Sequence, residues 1–592
     1  MNETRTIPVV LREAVRQWGR SPALRFRAGG AWTTLTWNEY GERAQSVARA
    51  LIELGLRPGR GVSILASNAP EWFIADIATI LAGGVPTGHY VTSSPEQIEY
   101  IARDSEAQIA VVDTEEQLAK IEAIRDSLPL LEAIVVTRSG ARGRNVYTWE
   151  QLLDIGRRSS TQSELDRRAE RQAPNDVATL IYTSGTTGVP KGVELTHRNL
   201  VWTAGAIVAD LGMKTGDRLI SYLPLSHIAE QIFTLHSPLQ GGACTTFVDN
   251  LADLPDAMRA TRPTLFFAVP RVWEKIGAKV TEAAAAMPPL KKKIAGWARA
   301  VGLAAGSAGE RGEAPPLSHH LADRLVFRKV RHKLGLDEAR MCFTSAAPIA
   351  RETLDLFFGL GIPIYEVFGM SECTGPATFS RPGDYRIGKT GKAASNTELR
   401  IAPDGEVLIR GLHVFRGYHK DPDSPPAIDE EGWLHSGDVG EIDEDGFLTI
   451  TGRKKDIIIT SGGHNVAPQA IEQELRGIQP VSQAVVVGDG RSYLVALLTL
   501  QEEMLPTVAA SLGSAARDAE SAASCRFFNE YLGRRMDELG RRFARSETPK
   551  KFAILPNDFS IDGGELTPTM KVRRTVVQEK YRNVIEGLYR GE

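Results

Sequence analysis

The chain has little cysteine and no surplus of positive charge. Its 592 residues include four cysteines, Cys244, Cys342, Cys373 and Cys525, far apart from one another. They make no CxxC pair and no metal-ligand spacing, which excludes a disulfide framework or a zinc module and fits a reducing compartment. Lysine and arginine number 70 against 73 acidic residues, a formal net charge of −3. A dedicated nucleic-acid binder carries a basic excess, so that class is set aside. Long apolar runs are also missing. The most apolar helical stretch, Trp72 to Val85, falls short of the ~20 residues needed to cross a bilayer and reads as a buried helix. The opening MNETRTIPVV has no basic start followed by an apolar core, so no secretory signal is expected. The expectation is a cytoplasmic protein, with room for peripheral contact with a membrane.

What is present is ordinary in bulk and informative in order. A chain of this length is expected to hold more than one domain. The first half alternates helical and strand-like segments. Thr36 to Leu56 reads as a helix capped by Thr36, with Ala44, Val47, Ala48, Leu51 and Leu54 on its apolar face and Gly55 ending it. Gly61 to Ser67 and Ala107 to Asp113 read as short strands. This alternation predicts α/β layers with mainly parallel strands. From about Gly405 the texture turns to short strands, with Asp445-Gly446 as a hairpin signal. After GRKKD, Gly452 to Asp456, a smaller α+β unit begins. The expected organisation is therefore α/β, with a large N-terminal domain of layered sheets and helices ending in a β-rich part, residues 1–454. A small mobile α+β C-terminal domain, residues 455–592, follows a hinge at Lys455. The Ala/Gly/Pro-rich piece Val301 to Ser318 reads as a loop. The basic stretch KKKIAGWARAVGLA, Lys291 to Ala304, suits either a membrane surface or a solvated helix packed on its own domain, and the second reading is preferred.

The stretch YTSGTTGVPKG, Tyr182 to Gly192, crowds glycines and hydroxyls after the apolar run Val177 to Ile181. It reads as a connection from a buried strand to a helix that Thr196 caps, with Leu200, Ala204, Ile207 and Leu211 on the helix face. Glycine lets backbone amides approach an anion closely, and Ser/Thr add donors. Lys191 adds a charge suited to a polyphosphate. A Walker loop needs a second glycine five residues after the first, followed by lysine and then Ser/Thr. Five residues after Gly185 stands Pro190, and Lys191 is followed by Gly192, so that motif is excluded.

The same stretch resembles the signature of the adenylate-forming superfamily, which includes acyl-CoA synthetases, luciferases and peptide-synthetase adenylation domains. YLPLSHIAEQ, PTLFFAVPRVWEKI, EVFGMSECTGP, GWLHSGDVG, GRKKDIIITSGGHNVAP and ELTPTMKVRR follow in the order the superfamily shows. Together they most resemble long-chain fatty acyl-CoA synthetases of the bubblegum type, from Tyr182 to Lys571.

The resemblance implies roles. Lys571 bridges the acid and the ATP α-phosphate as the catalytic lysine, with Lys191 and Glu372 completing the catalytic set. The ATP site would comprise Thr183, Ser184, Gly185, Thr186, Thr187, Gly188 and Lys191, then Glu366, Phe368, Gly369, Met370 and Ser371, with Asp438 and Arg453 on the ribose. Phe368 stands where the family often has tyrosine. Ala346 and Ala347 of SAAP stand in a segment that usually carries glycine and walls the adenine. Glu372, with Thr183 assisting, would hold Mg²⁺, an ion that wants oxygen ligands shared with phosphates. His227 would lie beside the acyl carboxylate. Gly462 and Gly463 would line the channel for coenzyme A. Cys373 is read as a packing residue.

The implied reaction joins ATP and a fatty carboxylate into acyl-adenylate and pyrophosphate. Coenzyme A then takes the acyl group and AMP leaves, with the small domain rotating about Lys455 between the halves. One alternative is a fatty acyl-AMP ligase that loads an acyl-carrier protein; no insertion stands between Asp438 and the hinge to favour it. Another is an aryl or short-chain acid ligase, against which PRVWEKI and the inserted region Thr281 to Gly335 speak. A non-catalytic nucleotide-binding scaffold is disfavoured by the joint presence of Lys191, Glu372, Asp438, Arg453 and Lys571.

Overall fold

The structure is a computed structural model that describes residues 4–184, 190–421, 427–541, 543–544, 547–567 and 570–590. Most buried apolar side chains from Ile7 to Leu448 share one large core with smaller clusters beside it, whereas those from Ile458 to Tyr589 form clusters of their own. The chain thus has a large N-terminal domain and a small C-terminal one.

In the large domain an eight-stranded sheet carries a parallel run of Val85–Gly88, Gly61–Leu65, Ala107–Val112, Ala133–Val136 and Val146–Thr148. Gly61–Leu65 and Ala107–Val112 are buried along their whole length, as expected of parallel strands covered on both faces. Helix Trp37–Glu53 begins at Thr36, whose hydroxyl accepts from Glu39 N while the Glu39 carboxylate accepts from Thr36 N. That reciprocal pair satisfies two orphan amides at the helix start. Gly55 follows at φ +95°, a conformation in which a side chain would be strained. A five-stranded sheet runs Leu265–Ala268, Met341–Thr344, Ile364–Met370, Gly375–Phe379 and Lys392–Ala393, its first three strands parallel. The β-rich end is an antiparallel sheet of Glu398–Ile401, Glu406–Arg410, Leu434–Ile442 and Leu448–Arg453. Its last turn is set by Gly446 at φ +86° and by Asp443, whose Oδ1 accepts from Asp445 N and Phe447 N. The small domain packs helices such as Pro468–Arg476 and Arg526–Leu539 around the sheet Val481–Val487, Val495–Leu500 and Lys551–Ile554.

Two local expectations are corrected. The glycine loop does not lead from a strand into a helix. Val177–Ser184 and Pro190–Thr196 pair antiparallel, with Ser184 opposite Pro190, so the loop joins two strands of a hairpin. Helix His197–Leu211 starts only after the second strand, with Thr196 as its cap. That strand is hard to see in sequence because only Val193 and Leu195 carry its alternation. Gly185, Thr186, Thr187 and Gly188 lie outside the described residues, as does the side chain of Ser184.

Val301 to Ser318 is not a loop over most of its length. Helix Pro289–Glu310 continues through it, and only residues 311–317 connect to the helix Ser318–Ala322. Its glycines serve close packing. A Cβ on Gly302 would sit 2.7 Å from the Phe358 carbonyl oxygen, and one on Gly306 would sit 2.7 Å from the Phe358 ring. Helix packing wins over glycine's intrinsic cost of ~1 kcal/mol per residue in a helix.

Candidate active site

A cavity of about 650 Å³ opens between the two domains. Thr183, Lys191, His227, Gly369 to Glu372 and Arg453 line it from the large domain, and Leu566, Thr567 and Lys571 from the small one. They arrive on several separate elements of both domains, so the site exists only once the layers are assembled.

Strand pairing builds the glycine-loop side. Thr183 stands opposite Lys191 in the hairpin, and the short strand Gly417–Tyr418 adds to its edge with Tyr418 opposite Val193. The Lys191 ammonium lies 5.0 Å from the Tyr418 ring centroid and 2.8 Å from Asp421 Oδ2. Tyr418 Oη donates to Glu372 Oε1 at 2.9 Å. Burial, then the Glu372 charge, push the Tyr418 phenol well above its ordinary pKa, so it remains a donor. Glu372 is 9% exposed, on a tight turn, Ser371–Cys373, at the end of the strand Ile364–Met370. Cys373 is buried beneath it, and burial raises its thiol to about 12, which suits packing and not nucleophilic work.

Asp438 and Arg453 stand opposite each other on adjacent antiparallel strands. Arg453 Nε donates to Asp438 Oδ1 at 2.9 Å. Burial raises the Asp438 pKa, while Arg453 and then Lys571 oppose that shift. The Lys571 ammonium is lowered to about 8, first by burial and then by the Arg453 charge, with Asp438 and Glu372 pulling the other way. Lys455, also on the cavity wall, is lowered by burial and by Arg453. Three cations facing two carboxylates make a site that favours a further anion.

His227 lies on the same wall. Its Nδ1 accepts from Ala229 N at 3.2 Å, which assigns the ring proton to Nε2. Burial, helped by the Lys571 charge, lowers its pKa to about 3 and keeps it neutral. Beyond it the wall becomes apolar: Ile207 and Leu211 from helix His197–Leu211, Phe233 from the π-helical turn Gln231–His236, and Phe267 and Phe343 from neighbouring parallel strands. One end of the cavity chemistry is therefore charged and another part is hydrocarbon.

Not every expected residue lines the cavity. Glu366 accepts from Gly388 N at 2.7 Å, and burial raises its carboxyl to about 8. Phe368 N donates to Thr378 Oγ1, and neither residue is on the wall. Asp438 stands behind Arg453. Gly462 and Gly463 sit exposed in the turn between Ile458–Ile459 and Asn465–Val466, away from the cavity wall. No local sequence pattern marks Tyr418 or Asp421: Tyr418 meets Lys191 and Glu372 through edge pairing of its strand, and Asp421, three residues on, pairs with Lys191. Ala346 does line the cavity, at φ +77°, a position where glycine would be unstrained.

The glutamate and threonine oxygens on the wall are hard donors. Among the described residues no cluster of three or more His, Cys, Asp or Glu side chains gathers as a metal site. Mg²⁺ commonly takes one or two protein oxygens and completes its shell with substrate phosphates and water, so the donor set fits that ion.

The architecture is that of the adenylate-forming enzymes. The chain matches the anthranilate CoA ligase AuaEII, solved with anthranoyl-AMP, with a TM-score of 0.76 at 22% identity over 99% of each chain. It matches the Mycobacterium tuberculosis fatty acyl CoA synthetase with a TM-score of 0.64 at 21% identity, over 98% of this chain and 99% of that one. The family description AMP-binding enzyme fits residues 11–419, and AMP-binding enzyme C-terminal domain fits residues 455–518. The protein belongs to the AMP-binding enzyme family. Its relatives include the long-chain-fatty-acid–CoA ligase ACSBG2 of Xenopus laevis, 40% identical over 99% of this chain and 84% of that one. Another is the long-chain-fatty-acid–CoA ligase ACSBG1 of Rattus norvegicus, 38% identical over 99% of this chain and 85% of that one.

Proposed function

We propose that this enzyme is a long-chain fatty acid–CoA ligase that forms an acyl-adenylate from ATP and then passes the acyl group to coenzyme A. The observation that carries the reading is one cavity that joins Lys571 to Glu372, Arg453 and Lys191 and continues into an apolar wall. Whole-length relatives with that name support it.

In the first half the fatty carboxylate attacks the α-phosphorus and pyrophosphate departs. Two anions must approach, and negative charge builds on the α-phosphoryl oxygens. Lys571, held among Arg453, Asp438 and Glu372, supplies the positive charge there. Lys191 and the Thr183 hydroxyl hold the departing phosphates. Arg453 presents its guanidinium to the ribose, and Asp438 behind it holds that side chain in place. His227, neutral and protonated on Nε2, donates to the acid's oxygen at the boundary with the apolar wall. Glu372 and Thr183 would hold Mg²⁺, which when bound spreads the charge of the phosphates.

The second half needs a thiol at the same carbonyl carbon. With Lys571 inside and Gly462 and Gly463 outside the cavity, the observed arrangement suits adenylation. We assign the hinge to Lys455 between domains 1–454 and 455–592, and the pantetheine path to the Gly462-Gly463 turn after rotation. The thiolate attacks the acyl carbon, the C–S bond forms, and AMP leaves.

The test is adenylate formation trapped by hydroxylamine across acids from acetate to arachidate, repeated with coenzyme A and with an acyl-carrier protein. Pyrophosphate release with long acids and thioester on coenzyme A is the expected result. Thioester on the carrier protein alone, or activity confined to short or aryl acids, would overturn the assignment.

A further inference from the structure

Among the described residues, eleven large apolar side chains are exposed, and six of them fall on one helical hairpin: Leu290, Ile294, Trp297, Leu317, Leu321 and Leu325. Leu290 is 71% exposed and Leu317 is 92% exposed. The spacing is regular. Leu290, Ile294 and Trp297 lie at i, i+4 and i+7 on helix Pro289–Glu310, and Leu317, Leu321 and Leu325 recur every fourth residue on the returning segment. Such spacing puts the first set on one face of its helix, while Leu317 stands just before helix Ser318–Ala322 and Leu321 and Leu325 lie on that helix and on the π-helical turn Asp323–Phe327 after it.

The first set continues the stripe by which the same helix packs on its own domain. From Ala298 onward that stripe is covered: Ala298 and Val301 meet Ala322 and Phe327, while Gly302 and Gly306 lie against Phe358. Its first two turns extend beyond this cover. A helix face that turns from packed to exposed without turning polar is uncommon on a freely soluble surface.

Charge shows what kind of partner fits. Between residues 289 and 335 the sequence carries ten lysines and arginines and three acidic residues, a surplus of seven in a chain of net charge −3. The three acids are engaged locally: Asp323 by Arg331 at 2.6 Å, Glu313 by Arg311 at 2.7 Å, and Glu310 by the Ile387 amide at 2.7 Å. Lys291, Lys292 and Lys293 follow Leu290 directly, and all three are exposed. Leucine, isoleucine and tryptophan beside lysines is the composition of a helix that lies in a lipid interface, with the lysine stems lying along the apolar surface and their ammonium groups at the headgroups. No helix among the described residues is long and apolar enough to span. The hairpin is also well placed for an apolar cargo. It is inserted between helix Pro270–Ala285 and strand Met341–Thr344; Phe343 of that strand, and Phe267 of the strand that precedes the helix, belong to the cavity's apolar wall.

We propose that this hairpin is a docking surface for an anionic phospholipid bilayer. The apolar stripes enter the interface and the lysines face its phosphates. The inference does not depend on the catalytic reading, because vesicle binding is measured without substrates.

The test is flotation of the full-length protein with vesicles of phosphatidylcholine alone or of phosphatidylcholine and phosphatidylglycerol in equal amounts. Binding to the second set, weakened by salt, is expected. Replacing Lys291, Lys292 and Lys293 by alanine should weaken it on the order of a hundredfold, since each lysine near such a surface contributes roughly fivefold. Trp297→Ser with Leu290→Ser should weaken it too, with folding checked by far-UV circular dichroism and by an unchanged thermal midpoint. Equal binding to both vesicle sets, or undiminished binding by the lysine variant, would overturn the proposal. So would a lipid-free dimer that Trp297→Ser converts to monomer, for then a second copy covers the stripe.

Discussion

Arg271 of the large domain donates through Nη2 to Asp558 of the small domain, forming an ion pair across the domain interface. Each partner is held on its own side. Asp558 also accepts from Ser482 Oγ and Thr499 Oγ1 at 2.6 Å, and Arg271 lies 3.8 Å from Glu274. Nearby, Arg476 donates to the Pro348 carbonyl at 3.0 Å. The pair belongs to the orientation that puts Lys571 in the cavity, and a domain rotation would break it. Charged hydrogen bonds contribute ~1.5–3 kcal/mol, and partial exposure brings this one to the lower end. Arg271→Gln should therefore slow pyrophosphate release about tenfold while leaving thioester formation from supplied acyl-adenylate unchanged. Stopped-flow measurement of the two halves decides it; equal loss in both would show that the pair only supports the fold.

The companion prediction concerns Lys571. If its ammonium meets the charge that develops on the α-phosphoryl oxygens, Lys571→Ala should lower adenylation by roughly 10²–10³-fold or more, the usual cost of removing one such donor. Thioester formation from supplied acyl-adenylate and coenzyme A should persist. Pyrophosphate release and thioester formation measured on one preparation separate the halves, and parallel collapse of the two would remove the assigned role.

The sequence made the layered α/β order, the capping of Trp37–Glu53 and the β-rich end legible because those features are local. Periodicity, a capping box and an Asp-Gly turn are written within a few residues. The partners of Lys191 were not legible. Tyr418 reaches it through strand-edge pairing and Asp421 from three residues on, and nothing within either segment announces the meeting. The part of helix Pro289–Glu310 from Val301 onward reads as a loop in sequence for a related reason. Glycines normally argue against a helix, and only the approach of Phe358 explains why Gly302 and Gly306 are required where they stand. Motif order pointed to Thr183, Lys191, His227, Glu372, Arg453 and Lys571 on the cavity wall, but it could not tell that the Glu366 carboxylate turns to the Gly388 amide, because orientation along a strand depends on the sheet it joins.

A pH prediction follows from the lowered Lys571 pKa. A lysine with a pKa near 8 is charged below that value and neutral above it. Adenylation needs the charged form, so kcat/KM for pyrophosphate release should fall as pH rises through about 8, approaching tenfold per further unit. Bound ATP places negative charge beside the ammonium and favours protonation, so the limb in kcat should lie higher. His227, lowered to about 3, adds no limb near neutrality. Lys571→Arg carries a charge that is not lost in this range, and any residual adenylation should lack the alkaline limb. A limb that stays in that variant belongs to another group.

The last prediction uses Ala346, which lines the cavity at φ +77°. A Cβ in the left-handed region costs about 1–2 kcal/mol. Glycine there would remove that strain, yet it would add roughly 0.5–1 kcal/mol of chain entropy to be lost on folding. The strain is the larger quantity, so Ala346→Gly should stabilise the nucleotide-free enzyme by about 0.5–1 kcal/mol and raise its thermal midpoint. The same substitution frees a wall segment that Pro348 and Ile349 tie to the small domain through Arg476 and Gln473. A looser wall pre-organises the nucleotide less, so KM for ATP should rise with little change in kcat. Thermal scans at one fixed rate and steady-state kinetics read the two effects separately. A lowered midpoint would mean that the alanine is accommodated without strain, and an unchanged KM would mean that the rigidity of this wall is not used in binding.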